Sequence, residues 1–263
     1  MTRVGFVGAG RMGGPMISRL LESGHDVRAL GRTEEKRRTV KALGAQAAAG
    51  IHDIARDSDV LIVCVFADEQ VAQVCSPGVL AAMAPGSTVV VHTTGSPGTV
   101  QAIAAQSPGV DILDAPVSGG PHDIAAGSLT LFVGGPDDAV ARVRPVLAAY
   151  GDPILHVGPL GSGQAVKLTN NALFAAQIGL LREAVALGER LGVAEAQLLE
   201  AITHGSGTSR VAGFVAAGGS VDSFVERIGE FIGKDVDVVR KIAAELGKTL
   251  GLLDDVINAG IQP

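Results

Sequence analysis

The sequence feature that most constrains the fold is a glycine-rich turn near the start of the chain. A strand-like segment, RVGFVG over residues 3–8, leads into it, a helical pattern follows to about residue 24, and a second strand-like segment begins at residue 26. This order predicts a strand, a tight turn, a helix and a parallel second strand. In such a turn Gly8 permits the sharp bend, Gly10 lets a pyrophosphate approach the backbone, and Gly13 lets the helix pack on the sheet. The turn predicted to bind a dinucleotide cofactor is Gly8, Ala9, Gly10, Arg11, Met12 and Gly13.

The residues after the second strand indicate which dinucleotide is preferred. An acidic residue at this point would bind the 2′-hydroxyl of NAD, but the chain has Gly31, Arg32 and Thr33 instead. Arg32 and Thr33, with Lys36 or Arg37 nearby, could bind a 2′-phosphate through charge-assisted hydrogen bonds. The sequence therefore favours NADP(H) over NAD(H). The alternative is that Arg32 is an ordinary solvated surface residue.

The alternation of short β-branched runs with helical stretches predicts an α/β fold. We assign residues 1–160 to a Rossmann-type domain with a doubly wound, mostly parallel sheet. A long helix within residues 161–191 is predicted to join it to an all-helical second domain over residues 161–263. The predicted strands cover residues 3–8, 26–30, 60–65, 88–92, 110–113, 129–133 and 154–157. The helices predicted beyond Gly163 cover residues 164–191, 195–202, 210–216, 235–246 and 252–258.

Composition and charge argue against several kinds of partner. The formal net charge is -6, which gives no electrostatic reason to bind nucleic acid. The most apolar run, residues 60–67, is too short to cross a bilayer, and the chain enters a strand pattern without a signal sequence. Cys64 and Cys75 do not have metal-ligand spacing, so no metal site is predicted. We expect a cytoplasmic protein with reduced thiols.

A polar segment after the predicted strand at 110–113 suits the binding of a small anion. It reads DAPVSGG over residues 114–120. The hydroxyl of Ser118 and the N–H groups of Gly119 and Gly120 can form a small concave donor set. We predict that this loop binds the carboxylate of a small substrate.

A second polar segment, GSGQAVKLTNN over residues 161–171, opens the long predicted helix. Lys167 and Asn171 lie four positions apart, so their side chains share one face of the helix. Asn171 could then orient the ammonium group or the substrate. Taken alone, the position also suits an ordinary solvated lysine.

Four sequence blocks together resemble the signatures of one enzyme family. They are GFVGAGRMGGPM, DAPVSGG followed by AAGSLTLFVGG, GSGQAVKLTNN, and Gly233-Lys234-Asp235. In this order they resemble the β-hydroxyacid dehydrogenases of the 3-hydroxyisobutyrate dehydrogenase type, which are related to proteins with the NAD-binding domain of 6-phosphogluconate dehydrogenase. The resemblance implies an NAD(P)-dependent oxidoreductase acting on a CH–OH group. Its substrate would be a small 3-hydroxy acid or the corresponding semialdehyde or keto acid.

The resemblance also implies roles for individual residues. Lys167 matches the catalytic acid/base, and Asn171 matches an asparagine that helps to hold the substrate. Ser118, Gly119 and Gly120 match the residues that receive the substrate carboxylate. The residues matching cofactor contacts beyond the first turn are Val65, Phe66, Thr94 and Lys234. Because the family tends to form dimers or tetramers, a homodimer or homotetramer is expected.

Two departures from the family pattern bear on the substrate. The chain ends at Pro263, about one helix earlier than the resemblance implies, so we expect the C-terminal cover of the active site to be thinner or to come from a partner subunit. The substrate loop continues as Pro121-His122-Asp123-Ile124, where relatives carry small residues. His122 could contact the substrate or simply be solvated.

Three other functions compete with this one on the sequence. An imine reductase resembles this family but generally lacks a lysine at the position of Lys167, whose presence favours carbonyl and alcohol chemistry. 6-Phosphogluconate dehydrogenase carries histidine at the position of Asn170 and is much longer. In a different class, the chain could be a redox-silent NADP-binding scaffold or sensor, but the pairing of Lys167 with Asn171 argues against it.

Overall fold

The strands lie where the sequence has short runs of β-branched and apolar residues. The computed structural model describes residues 1–245 and 247–261, apart from the side chains of Glu230, Phe231 and Ile261. The described strands are β1 (Arg3–Val7), β2 (Asp26–Leu30), β3 (Gln46–Ala48), β4 (Val60–Val63), β5 (Thr88–Val91), β6 (Asp111–Asp114), β7 (Val117–Ser118), β8 (Leu129–Gly134) and β9 (Gly151–Gly158). They form a sheet in the order β3-β2-β1-β4-β5-β6-β8-β7, with β9 paired to β8. Only the pairs of β8 with β6 and β7 are antiparallel in this described sheet, which confirms the mostly parallel prediction.

The parallel register brings the carboxyl ends of four strands into one row. Val7 of β1 pairs with Val63 of β4, Val63 with Val91 of β5, and Val91 with Asp114 of β6. β4 and β5 read VLIV and TVVV and are buried along their whole length, as expected of interior parallel strands. The turns that follow these strands therefore lie along one edge of the sheet, where α/β proteins bind their ligands.

Helices cover both faces of the sheet. Those of the first part of the chain are α1 (Gly13–Glu22), α2 (Glu34–Ala42), α3 (Ile51–Arg56), α4 (Asp68–Val74), α5 (Pro77–Leu80), α6 (Pro97–Ala105), α7 (Pro121–Ala125) and α8 (Asp137–Leu147). One core cluster packs Ile17 and Leu20 of α1 and Val143 of α8 against the sheet. The other packs Val71 of α4 and Val100 of α6 against it. The doubly wound prediction is thereby confirmed.

The chain divides into two units, Met1–Lys167 and Leu168–Pro263. Helix α9 (Ser162–Arg190) begins in the first unit and continues in the second. The other described helices of the second unit are α10 (Glu195–His204), α11 (Arg210–Gly218), α12 (Val221–Glu245) and α13 (Leu252–Ile261). A Cβ on Gly179 of α9 would lie 1.9 Å from the carbonyl oxygen of Val256, so glycine is what allows α9 and α13 to pack this closely. None of the helices in the described ranges combines the length and apolar character needed to cross a membrane.

The structure differs from the sequence prediction in one helix and two short strands. The helix predicted at 235–246 starts at Val221, and its predicted end at Leu246 lies outside the described residues. Gly229 and Gly233 lie inside this helix and each disfavour it by about 1 kcal/mol relative to alanine. Burial of Val221 and Phe224, with further apolar residues at helical spacing, outweighs that cost. Strands β3 and β7 have only three and two residues and were not predicted.

Candidate active site

Two glycines of the first turn are required by the protein's own backbone. Gly8 has φ +109°, and a Cβ there would lie 2.0 Å from the carbonyl oxygen of Cys64. A Cβ on Gly13 would lie 2.0 Å from the carbonyl oxygen of Gly8. These contacts fix the bend after β1 and the close start of α1, as the spacing of the motif predicts.

Gly10 has no such requirement. It is exposed, and a Cβ there would meet no described atom within 4 Å. Ala9 and Met12 pack against the core, whereas Arg11 is exposed. Among the described residues no side chain caps the start of α1, although the N–H of Gly14 donates to the carbonyl oxygen of Gly10 at 2.9 Å. Open space over Gly10 beside an uncapped helix start fits a pyrophosphate.

The residues after β2 present positive charge to solvent. Thr33 caps α2, its hydroxyl accepting a hydrogen bond from the N–H of Lys36 at 3.2 Å. Arg37 is held by Glu34 at 2.8 Å and donates to the carbonyl oxygen of Gly31 at 3.0 Å. Arg32 and Lys36 are exposed and form no ion pair within the described ranges. Arg37 is thus bonded within the turn, whereas the side chains of Arg32 and Lys36 are exposed to solvent.

The loops after β4 and β5 are tied together by one hydroxyl. Thr93 accepts a hydrogen bond from the N–H of Val65 at 3.0 Å and donates to the carbonyl oxygen of Val65 at 2.9 Å. Phe66 follows with its side chain 58% exposed, and its N–H donates to Gln70 at 2.9 Å. Thr94 is half-buried directly after Thr93. The predicted cofactor contacts Val65, Phe66 and Thr94 therefore belong to two bonded loops at the same sheet edge.

The start of α9 is bonded to this edge by two buried polar side chains that sequence reasoning missed. Asp114, at the end of β6, accepts hydrogen bonds from the N–H groups of Gly161 at 2.7 Å and Gln164 at 2.6 Å. The side chain of Gln164 accepts from the N–H of Gly95 at 2.9 Å and donates to the carbonyl oxygen of Thr93 at 2.7 Å. Burial raises the pKa of Asp114, and its backbone hydrogen bonds oppose that rise. Both residues stand in the two polar segments of the sequence, but nothing local shows which groups they bond.

A buried histidine and a buried tyrosine are hydrogen-bonded next to the same edge. His92 bonds through Nδ1 to the carbonyl oxygen of Ala115 at 2.6 Å and through Nε2 to the hydroxyl of Tyr150 at 2.8 Å. Since Nδ1 faces a carbonyl, it carries the proton, and Nε2 accepts from the tyrosine. Burial lowers the pKa of His92 to about 4. The ring is therefore neutral and acts as a structural link between β5 and the residue after β6.

The predicted substrate loop differs from expectation at one donor. The N–H of Gly120 donates to the carboxylate of Asp123 at 2.6 Å, which caps α7. The same carboxylate lies 3.3 Å from Nε2 of His122, whose side chain is 85% exposed. Of the predicted donor set, Ser118 and Gly119 therefore remain, because the N–H of Gly120 is already bonded to Asp123. His122 contacts Asp123 and is otherwise solvated.

The second unit contains a polar cluster of its own. The amide of Asn171 donates to the carboxylate of Asp235 at 2.6 Å, and Nζ of Lys234 lies 3.8 Å from the same carboxylate. The structure therefore brings Asn171 and Lys234 together through Asp235, a residue of the fourth sequence block that had no predicted role. Lys167 is half-buried on α9, one helical turn before Asn171.

Comparison with known proteins identifies the family. Residues 3–158 match the family described as the NAD-binding domain of 6-phosphogluconate dehydrogenase, and residues 161–258 match the NAD-binding domain of NADP-dependent 3-hydroxyisobutyrate dehydrogenase. The chain belongs to the β-hydroxyacid dehydrogenase family. The resemblance inferred from its four sequence blocks is confirmed, and the protein is an NAD(P)-dependent oxidoreductase that acts on hydroxyl groups.

Individual β-hydroxyacid dehydrogenases are similar over most of the chain. An NAD-dependent L-serine dehydrogenase of Pseudomonas aeruginosa is 37% identical over 79% of this chain and 71% of its own length. A 3-hydroxyisobutyrate dehydrogenase of the same organism is 36% identical over 79% and 71%. The solved structure of Mycobacterium tuberculosis 3-hydroxyisobutyrate dehydrogenase with L-serine is similar with a TM-score of 0.89 and 29% identity, covering 98% of this chain and 92% of that one.

Proposed function

We propose that this β-hydroxyacid dehydrogenase transfers a hydride between NADP(H) and a small 3-hydroxy acid or the corresponding semialdehyde or keto acid, with Lys167 as general acid/base. The observation that carries the proposal is the bonding of the first turn of α9 to the sheet edge where the Gly8–Gly13 turn lies. Lys167 follows within the next turn of that helix. An amine fixed near a dinucleotide-binding edge suits proton transfer coupled to hydride transfer.

The roles in the reaction divide between the cofactor and the chain. A bound nicotinamide supplies the hydride acceptor or donor. In the oxidation direction Lys167, as a neutral amine, takes the proton of the substrate hydroxyl while the C–H bond breaks on the carbon that bears this hydroxyl. In reduction Lys167, as an ammonium, returns that proton to the carbonyl oxygen. Asn171, on the same face of α9, orients the lysine or the substrate.

The substrate's carboxylate is proposed to bind at the loop that follows β7. Ser118 and the N–H of Gly119 are the donors that the loop offers, since Asp123 holds the N–H of Gly120. If Asp123 turns away on binding, Gly120 becomes the third donor. Small carboxylates are consistent with the names of the relatives, which include dehydrogenases for L-serine and 3-hydroxyisobutyrate.

The preference for NADP(H) is proposed from the exposed charges after β2. Replacing Arg32 by alanine should raise the dissociation constant of NADPH about tenfold or more, because a charge-assisted hydrogen bond to the 2′-phosphate is lost. The constant for NADH, which lacks that phosphate, should change much less. Fluorescence titration of both cofactors measures this, with Arg38→Ala on the exposed side of α2 as the control. Equal weakening of NADPH and NADH by Arg32→Ala would remove Arg32 from phosphate binding.

The activity is tested by a substrate screen that follows NADPH absorbance at saturating cofactor, run in parallel with NADH. The panel includes 3-hydroxyisobutyrate, 3-hydroxypropionate, L-serine and the matching semialdehydes, with a cyclic imine as the probe for the alternative reaction. Turnover of a hydroxy acid or semialdehyde supports the proposal. Reduction of the imine alone would favour an imine reductase, and tight NADPH binding without any turnover would favour a redox-silent scaffold.

We also propose that the protein forms a homodimer or homotetramer through α9. Leu173, Leu180 and Leu187 are 50%, 57% and 50% exposed and recur every seven residues, which places them in one stripe along the helix. Leu180→Glu should shift the molecular mass in sedimentation equilibrium toward the monomer, whereas Leu252→Glu on α13 should not. An unchanged mass for Leu180→Glu, or dissociation by Leu252→Glu alone, would place the interface elsewhere.

A cytoplasmic location is proposed from the cysteines. Cys64 and Cys75 are free thiols, and burial raises the pKa of each to about 12. Such thiols stay protonated and react slowly with oxidants. They are suited to a reducing compartment.

A further inference from the structure

The side chain of Gln164 makes two hydrogen bonds to a single turn of the backbone. It is 1% exposed, on the first turn of α9. Its amide oxygen accepts from the N–H of Gly95 at 2.9 Å, and its amide nitrogen donates to the carbonyl oxygen of Thr93 at 2.7 Å. These two groups flank Thr94. Of the common side chains of this length, only glutamine offers one donor and one acceptor that are neutral at all working pH values.

The backbone of Gln164 is held from the other side by β6. Its N–H donates to Asp114 at 2.6 Å, and the N–H of Gly161 donates to the second oxygen of the same buried carboxylate at 2.7 Å. A Cβ on Gly163 would lie 2.3 Å from the carbonyl oxygen of Phe132, so the helix start has no room to shift toward the sheet. The first turn of α9 is therefore fixed, and Gln164 transmits that fixed position to the turn after β5.

The turn after β5 has a second attachment of its own. Asp68, at the start of α4, accepts a hydrogen bond from the N–H of Ser96 at 3.1 Å and another from the hydroxyl of Thr99 at 2.5 Å. The hydroxyl of Thr93 is bonded to Val65 in the neighbouring loop. With the side chain of Gln164 removed, the turn remains attached to β4 and α4 but loses its two hydrogen bonds to Gln164 of α9.

We propose that Gln164 is a positioning residue for the redox reaction. Its side chain sets the distance between the turn at Thr94 and the helical turn that carries Lys167. The inference rests on the proposed function of Lys167. Gln164 lies three positions before Lys167 on α9, a separation of less than one helical turn, so a shift of the helix start displaces both. A displacement of about 1 Å between groups that act on one substrate carbon can cost about 100-fold in rate.

Gln164→Leu keeps the volume of the side chain and removes both hydrogen bonds. We expect it to lower kcat by about 30-fold while the dissociation constant of NADPH stays within about threefold of that of the unmodified protein. The primary deuterium isotope effect with labelled NADPH should rise, because the hydride step becomes slower than product release. Ser107→Ala is the control, since it removes an equally buried hydrogen bond, from the hydroxyl to the carbonyl oxygen of Ile103 at 2.7 Å, outside the site.

A double-mutant cycle distinguishes positioning from a general loss of stability. If Gln164 acts through Lys167, Gln164→Leu should lower kcat by less than about threefold in a Lys167→Ala background. Additive losses of kcat in the double variant would overturn the inference. So would a kcat and an isotope effect of Gln164→Leu that match those of Ser107→Ala. Should Gln164→Leu not fold, Gln164→Met provides the same test, because it keeps the length of the side chain and also removes both hydrogen bonds. If Lys167→Ala alone leaves turnover unchanged, the proposed function fails and the inference fails with it, a result distinct from additivity.

Discussion

Lys167→Ala is expected to lower turnover by about two to four powers of ten while leaving the affinity for NADPH nearly unchanged. The loss follows because the hydroxyl proton of the substrate would no longer have an acceptor when the C–H bond breaks. The proposed cofactor contacts, the turn at residues 8–13 and Arg32, are not altered by the substitution. Steady-state kinetics and fluorescence titration on the same preparations measure the two quantities.

Lys241→Ala is a matched control for Lys167→Ala, since it removes an exposed lysine from helix α12. Its turnover should equal that of the unmodified protein. Unfolding temperatures of both variants establish that the fold is retained. If Lys167→Ala turned over substrate as fast as Lys241→Ala, Lys167 would have no part in the chemistry.

Gly10→Ala is expected to weaken NADPH and NADH alike by at least about tenfold with little change in unfolding temperature. A Cβ at this position meets no described protein atom within 4 Å, so the fold has no steric reason to resist it. The added methyl group would instead occupy the space through which the pyrophosphate approaches the backbone. Titration of both cofactors, together with thermal unfolding of the cofactor-free protein, separates binding from stability.

Gly213→Ala on α11 is the control for Gly10→Ala. A Cβ there also has open space within 4 Å, and the position lies in the second unit. It should bind both cofactors as the unmodified protein does. Cofactor affinity that survives Gly10→Ala would mean that the pyrophosphate does not pass over Gly10, and the assignment of the turn would have to be revised.

The parts of the fold that could be predicted from sequence are those with strong local signals. The interior strands β4 and β5 are unbroken apolar runs, and Gly8 and Gly13 occupy the positions that a βα turn demands. Strand β3 gave no such signal, because Gln46-Ala47-Ala48 becomes a strand only by pairing with β2. The first half of α12 was missed because Gly229 and Gly233 weigh against a helix locally, whereas burial of its apolar face is decided by packing.

The residues of the candidate site also divide into those with a local sequence signal and those whose role depends on tertiary contacts. The glycine motif was identified from its characteristic spacing, and Lys167 was assigned from the resemblance of four sequence blocks to one family. The chemical roles of both remain predictions. Asp114 and Gln164 could not be assigned, since their partners lie dozens of residues away in sequence. Asp123 was noted only as part of an unusual loop, and its hydrogen bond to Gly120 depends on the cap of α7. Sequence motifs thus indicate which groups are available, and the tertiary structure decides which of their hydrogen bonds are already used.

The most direct test of the proposed chemistry is a crystal structure of the protein with NADP+ and a slowly reacting hydroxy acid. We expect Nζ of Lys167 within hydrogen-bonding distance, about 3 Å, of the substrate hydroxyl oxygen, with the carbon that bears this hydroxyl facing C4 of the nicotinamide. An Nζ directed into bulk solvent, with the nicotinamide ring bound elsewhere, would contradict the assignment of Lys167 as the proton-transfer residue.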